Sequence, residues 1–161
     1  MSYLLGSAAL IVLALTTTAC GSSSPSSSGT KSPSAAAGGN SVAQITTNWE
    51  TFFNGKTPVS QRVSLLQDGP QFQSTISAQA SGGLYAGLSA KVLKVTVTSP
   101  TQATVKYNLY LGGGSPLFSN RAGTAVLESG TWKVGVTSFC GLLVLANSGK
   151  TTGLPAACQA G

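Results

Sequence analysis

The sequence contains no histidine and only three acidic side chains, Glu50, Asp68 and Glu128. General acid–base catalysis and hydroxyl nucleophiles usually depend on His, Asp or Glu as the proton acceptor. The missing imidazole excludes a Ser-His-Asp triad, and the three acids fall on three different predicted elements. We therefore expect a protein that is not an enzyme and that uses no cofactor.

Charge of either sign is scarce, because charged residues make up 7% of the chain against about 25% in a typical soluble domain. Nine Lys and Arg residues nevertheless leave a formal net charge of +6. Three of them, Lys94, Lys106 and Lys133, fall on the outward phase of predicted strands, with little acid nearby. A solvated face is the simplest interpretation. The functional alternative is contact with anionic lipid headgroups or acidic cell-wall polymers.

Cysteine is also rare, and the first of the three follows an apolar run from Leu4 to Leu15. That run is shorter than the roughly 20 residues of a membrane-spanning helix. An apolar run that ends in small residues before a cysteine is typical of a bacterial lipoprotein signal. We predict removal of residues 1–19 and acylation of Cys20. The alternatives are an ordinary secretory signal cut near Ala19 and an uncleaved anchor.

An acylated Cys20 would hold the protein at the extracytoplasmic face of the cell membrane, with a part of it secreted. Nucleic acid is therefore not expected as a partner. Cys140 and Cys158 remain as a pair in an oxidising compartment, which favours a disulfide over two free buried thiols. A metal site is disfavoured because no third thiol or imidazole could complete it.

Residues 21–40 are rich in serine, glycine and proline, with Lys31 as their one charge. This composition predicts a disordered tether on the acylated cysteine, and a single folded domain over residues 41–161. Apolar residues at helical spacing then predict two to three helices. Their stripes are Ile45, Trp49, Phe52 and Phe53; then Val59, Val63 and Leu66, with Thr57 as N-cap; then Phe72, Ile76 and Ala80.

Further along, the period of the apolar residues changes to two, which indicates half-buried strands. Leu93, Val95 and Val97 alternate with polar residues, and the same alternation runs from Ala103 to Leu111 after a turn. A weaker strand follows over residues 122–128, then a strand over residues 131–136 and a helical turn over residues 139–145. The order predicts an α+β fold in which the helices pack on a curved antiparallel sheet of about four strands.

Five short segments resemble the mycobacterial low-molecular-weight antigen family of small secreted proteins and lipoproteins. They are WETFFNG at residues 49–55, LLQDG at 65–69, GTWKV at 130–134, SFC at 138–140 and PAAC at 155–158. The resemblance implies a cystatin-like fold, close to that of nuclear transport factor two, with a conical cavity. It also implies export from an actinobacterial cell, and recognition by a host's immune system where the organism is pathogenic. It brings no catalytic residues.

Four aromatic residues bear on what such a cavity could do. Trp49 and Trp132 lie on inward stripes and are predicted to be core residues. Tyr85 and Tyr107 could line the cavity and offer hydroxyls to the polar end of an apolar ligand, or they could be ordinary core tyrosines. Our first hypothesis is a lipid-anchored, non-enzymatic domain that binds an amphipathic molecule. The alternative is an envelope module that docks onto another exported protein. The residues predict no oligomeric state.

Overall fold

The computed structural model describes residues 34–159, and it describes side chains from residue 40 onward with the exception of residue 84. The signal, Cys20 and most of the tether lie outside the described residues, so their roles stay predictions. No helix within the described range is both long and apolar enough to cross a membrane.

The described residues form helices first, then a sheet, then a final helix. The elements are α1 (Ser34–Phe53), α2 (Val59–Ser64), α3 (Gln73–Ser81), β1 (Leu88–Ser99), β2 (Gln102–Leu111), β3 (Phe118–Glu128), β4 (Thr131–Val134) and α4 (Val136–Ala146). Short 3-10 segments lie at Gly69–Phe72, Gly83–Gly87 and Ala156–Cys158. This order confirms the predicted α+β class.

The four strands form one antiparallel sheet in the order β1-β2-β3-β4, so each strand pairs with its neighbour in sequence. Along β2 the residues Ala103, Val105, Tyr107 and Leu109 are buried, and the residues between them are more exposed. Because neighbouring side chains of a strand point to opposite faces, one face of the curled sheet is the core face. The architecture is consistent with the cystatin-like or nuclear-transport-factor-two-like fold.

The helix stripe that the sequence predicts covers this core face. Ile45, Trp49, Phe52 and Phe53 of α1 are all at most 3% exposed. Trp132 is buried beneath the same helix, where its carbonyl oxygen accepts a hydrogen bond from Asn48 Nδ2 at 2.8 Å. Trp49 and Trp132 are therefore core residues, as predicted.

The inward face of β1 differs from the prediction because the strand contains a bulge. The register shifts between Val92, which lies opposite Tyr107, and Lys94, which lies opposite Lys106. A bulge adds one residue to one strand and interrupts the alternation. Leu93 is consequently 49% exposed, whereas the alternation predicts it to face inward. The backbone N–H of Val92 donates to Glu50 Oε1 at 2.9 Å, so α1 satisfies the amide that the bulge displaces.

Other element boundaries also differ from those predicted. Helix α1 begins at Ser34, before the domain start expected at residue 41. Thr57 does not cap α2: its hydroxyl donates to the carbonyl of Thr51 at 2.7 Å, and Pro58 occupies the N-cap position. Val136 starts α4 instead of extending β4.

The predicted disulfide is confirmed. Cys140 of α4 is bonded to Cys158 in the last 3-10 segment, with the two Cα atoms 5.2 Å apart. The bond holds the C-terminal segment against α4.

Candidate functional site

An apolar cavity of about 340 Å³ lies between the core face of the sheet and the helices α3 and α4. This volume is at the lower end of the roughly 300–1,000 Å³ that is usual for small-molecule sites. Most lining side chains are aliphatic or aromatic, and none is charged. They are Phe53, Leu88, Leu109, Leu111, Leu117, Phe118, Phe139, Leu142, Leu143 and Ala146, together with Gln79, Gly82 and Tyr85, which we call the polar end of the cavity.

Helix α4 provides one wall because its apolar residues recur at helical spacing. Phe139, Leu142, Leu143 and Ala146 occupy positions i, i+3, i+4 and i+7, which places them on one face of the helix. Strand β2 provides part of the opposite wall through alternate residues, including Leu109. The cavity is thus formed by the same periodic patterns that elsewhere form the core.

The polar groups of the lining are confined to α3 and the 3-10 segment that follows it. Gln79 Oε1 is buried and has no hydrogen-bond partner among the described residues. A buried polar atom without a partner costs roughly 1–3 kcal/mol. This end of the cavity is therefore suited to the polar group of a ligand.

Tyr85 lines the cavity, and a buried arginine lies against it. Arg62 is 1% exposed, and its Nη2 donates a hydrogen bond to the Tyr85 hydroxyl oxygen. The guanidinium carbon lies 4.0 Å from the centroid of the tyrosine ring, within the range of a cation–π contact. Arg62 Nε also donates to the carbonyl of Phe52 at 3.0 Å. Arg62 therefore joins the end of α1 to the segment that carries Tyr85.

Burial changes the ionisation of both members of this pair. It raises the pKa of Tyr85 from 10.0 to about 12, although the positive charge of Arg62 acts in the opposite direction. Burial also lowers the pKa of Arg62, and the interaction with Tyr85 partly compensates. Near neutral pH, Tyr85 is therefore an uncharged phenol, whose O–H can donate a hydrogen bond.

A close backbone contact at Gly55 also sets the position of Tyr85. The Gly55 N–H donates to the carbonyl of Leu88 at 2.9 Å. A Cβ atom at Gly55 would lie 1.9 Å from the carbonyl oxygen of Tyr85, so only glycine fits there. The turn after α1 thus packs directly on the wall of the cavity.

Residues 40–150 match the family model described as the low molecular weight antigen MTB12, C-terminal domain. The chain belongs to this family. No curated protein matches the chain. The matched segment includes every residue that lines the cavity, so the cavity is a feature of the antigen domain itself. Membership of this family suggests a secreted, antigen-like protein.

The second tyrosine that the sequence singles out lies elsewhere in the antigen domain. Tyr107 does not line the cavity and is 2% exposed. Its ring stacks on that of Phe53, with centroids 5.7 Å apart, and is tilted against that of Trp49 at 5.1 Å. Burial raises the pKa of Tyr107, and the charge of Arg121 opposes the change. Tyr107 is a core residue that supports Phe53, and Phe53 in turn lines the cavity.

The three lysines lie on the outer face of the sheet, away from the cavity. Lys94 and Lys106 are exposed and lie directly opposite each other on β1 and β2. Lys133 is on β4, and its Nζ lies 3.2 Å from a carboxylate oxygen of Glu128. The expectation of three lysines with little acid nearby is therefore wrong for Lys133. Only Lys94 and Lys106 are cross-strand neighbours.

Gln79 lines the polar end and Arg62 lies behind it at Tyr85, yet no motif in the sequence predicts a role for either residue. Arg62 is three residues after Val59 and four before Leu66, so it shares their buried stripe. Gln79 is three residues after Ile76, on the same face of α3. Polar residues within an apolar stripe were the signal that could have identified both.

Proposed function

We propose that this protein is an exported lipoprotein of the cell envelope that binds an amphipathic molecule and catalyses no reaction. The observation that carries the proposal is the cavity of about 340 Å³, whose lining is apolar except at one end. Acylation of Cys20 and localisation at the extracytoplasmic face of the membrane are part of the proposal. They rest on the N-terminal sequence and on membership of an antigen family.

The lining favours a ligand with a long hydrocarbon segment. Burying a methylene group stabilises a complex by about 0.8 kcal/mol, whereas association costs roughly 4–15 kcal/mol in lost freedom of motion. A short apolar molecule would therefore bind weakly. Leu117 lines the cavity yet is 52% exposed, so a bound hydrocarbon would also cover this residue.

The absence of histidine supports a binding function over a catalytic one. The cavity lining contains no Asp, Glu, Lys or Arg, so it has no residue suited to move protons near neutral pH. Tyr85 is the one titratable side chain in the lining, and its raised pKa keeps the phenol protonated. We therefore propose a carrier or sensor of an envelope amphiphile.

The proposal can be tested by dye binding to the full chain. A polarity-sensitive apolar dye should fluoresce with the protein, and long-chain amphiphiles should displace it. Leu142→Trp adds bulk inside the cavity and should weaken dye binding by at least about tenfold, equivalent to 1.4 kcal/mol. Leu145→Trp, on the exposed side of the same helix, is the matched control and should bind the dye normally. Equal binding by both variants would contradict a ligand site in this cavity.

Docking onto another exported protein is the second candidate function, and one observation favours it. Strand β1 is at the edge of the sheet, is 12 residues long, and exposes the apolar side chains of Leu93 and Val97. An exposed apolar edge strand is able to pair with another chain. Crosslinking on intact cells from a photoreactive residue at position 93 tests this candidate. Failure to capture any neighbour would count against it.

A further inference from the structure

The positive charge of Arg62 has no acidic partner among residues 40–159, the side chains that the structure describes. The chain contains three acidic side chains, and none forms an ion pair with Arg62. Glu50 accepts from the backbone N–H of Val92, Glu128 pairs with Lys133, and Asp68 is exposed next to the turn after α2. Arginine is rarely fully buried unless it is paired. Behind the cavity wall, at Tyr85, there is therefore a cation whose charge no acidic side chain in the described part of the chain compensates.

Tyr85 connects this cation to the cavity. Its oxygen accepts a hydrogen bond from Arg62 Nη2, so the phenolic hydrogen is left to donate to another group. Tyr85 lines the cavity whereas Arg62 does not. A hydroxyl that accepts from a cation becomes a stronger donor, because hydrogen bonds in series polarise one another. The polar end of the cavity thus favours an acceptor that carries negative charge.

Gln79 offers a second hydrogen-bonding group at the same end. Its terminal amide carries both an acceptor oxygen and an NH₂ donor, and a half-turn of the amide exchanges their positions. The buried atom of this amide has no partner in the part of the chain that the structure describes. A head group with two oxygen atoms could accept from Tyr85 through one and from Gln79 through the other.

The size of the cavity limits the apolar part of the ligand. A volume of about 340 Å³ is at the lower end of known ligand sites. It suits one unbranched acyl chain and is small for the two chains of a phospholipid. Leu109 and the α4 residues Leu142 and Leu143 provide apolar walls for such a chain.

We propose that the cavity binds a single-chain fatty acid, with its carboxylate at the Tyr85 hydroxyl and its acyl chain between β2 and α4. Arg62 provides the compensating charge through Tyr85. This inference rests on the proposed function, since it names the ligand class of the same cavity.

The test compares head groups on one chain length, using the full protein and displacement of the apolar dye. The competitors are dodecanoate, dodecanol, dodecylammonium and monododecyl phosphate. Dodecanoate should bind about 10- to 100-fold more tightly than dodecanol, the range expected for hydrogen bonds to a charged group. Dodecylammonium should bind most weakly, because it would meet the charge of Arg62.

Tyr85→Phe is the decisive variant, because it keeps the ring that stacks on Arg62 and removes only the hydroxyl. It should lower the affinity for dodecanoate about 10- to 100-fold and that for dodecanol by less than about tenfold. Tyr110→Phe is the matched control, since Tyr110 lies on β2 outside the cavity and its hydroxyl accepts from Asn108 Nδ2. The control should bind dodecanoate normally. Arg62→Lys, which keeps the charge, should retain the preference for the carboxylate.

The possible failures can be distinguished from one another. Equal affinity for dodecanoate and dodecanol, or an unchanged affinity in Tyr85→Phe, overturns the fatty-acid inference and leaves the proposed binding function standing. Tighter binding of monododecyl phosphate overturns the assignment of a carboxylate. If neither the dye nor any dodecyl compound binds, both the inference and the proposed function are overturned.

Discussion

The close contact between Gly123 and Trp49 leaves no room for a side chain at position 123. Gly123 lies on β3 opposite Val105, beneath the indole of Trp49. A Cβ atom at this position would lie 2.7 Å from Trp49 Cη2, 2.8 Å from Cζ2 and 3.0 Å from Ser138 Oγ. Trp49 is 1% exposed and packs against the ring of Phe53, so the indole has little room to move. Gly123→Ala should therefore destabilise the domain by about 1–3 kcal/mol, the usual cost of overpacking.

Urea unfolding followed by circular dichroism measures this change in the free energy of unfolding. Gly141→Ala is the matched control, because Gly141 lies inside α4 and a Cβ atom there meets nothing within 4 Å. Alanine is favoured over glycine in a helix interior by roughly 1 kcal/mol. The same substitution should therefore destabilise at residue 123 and stabilise at residue 141.

The same Gly123→Ala substitution in a Trp49→Phe variant tests whether the contact with the indole causes the destabilisation. Trp49→Phe removes the two indole atoms that the new Cβ would meet. Gly123→Ala should then cost at least about 1 kcal/mol less than it does beside the native tryptophan, a coupling typical of residues in contact. A substitution that is neutral, or that costs the same in both backgrounds, would refute the reasoning.

Three further predictions concern the disulfide, the tyrosine at the cavity and the bulge. Replacing Cys140 and Cys158 together by serine should lower the free energy of unfolding in urea by roughly 3 kcal/mol, the chain-entropy value for a loop of this length; a loss below about 1 kcal/mol would contradict it. The folded-state pKa of Tyr85, about 12, lies above its ordinary value of 10.0, so the folded state holds this proton more tightly. The resulting stabilisation is complete below pH 10 and is lost as the pH rises towards about 12. In thermal melts between pH 10 and about 12, Tyr85→Phe should therefore lose less stability than the native protein. Equal losses in the two proteins would count against the raised pKa of Tyr85. Glu50→Ala should lower the free energy of unfolding by about 1.5–3 kcal/mol, because it leaves the Val92 N–H without its charged acceptor. Glu50→Gln keeps an acceptor and should lower it by less in the same urea measurement. Equal losses would show that the hydrogen bond is not the cause.

The helices and the hairpin could be predicted because their signals are local. Ile45, Trp49 and Phe52 repeat at helical spacing, and residues 103–109 alternate in burial as a half-buried strand does. The signal for the turn between β3 and β4 is also local. Ser129 and Gly130 both have positive φ, as the two central residues of a type I′ hairpin turn do. In each case the information lies within a few neighbouring residues.

The bulge and the cavity depend on residues that are distant in sequence. Leu93 faces solvent because the bulge shifts the register of β1, and that bulge is accompanied by a hydrogen bond to Glu50 on α1. The leucines of the cavity look like ordinary core residues in the sequence. They form a cavity because α3, α4 and β2 do not meet closely enough to fill the space between them. Likewise, alternation turns Tyr107 inward, but whether an inward side chain meets the core or a cavity depends on the neighbouring elements.

Arg62 shows how a local pattern and a distant contact combine in the site. Its position between Val59 and Leu66 on one helical stripe predicts that its side chain is directed inward, which is costly for a cation. The partners that accept its hydrogen bonds, the Phe52 carbonyl and the Tyr85 hydroxyl, are neutral. Because neutral partners do not cancel its positive charge, a buried cation still attracts an anion that lies beyond them. The cavity lies on the other side of Tyr85 from Arg62. The arginine that holds this wall in place therefore also gives the cavity a preference for an anionic ligand.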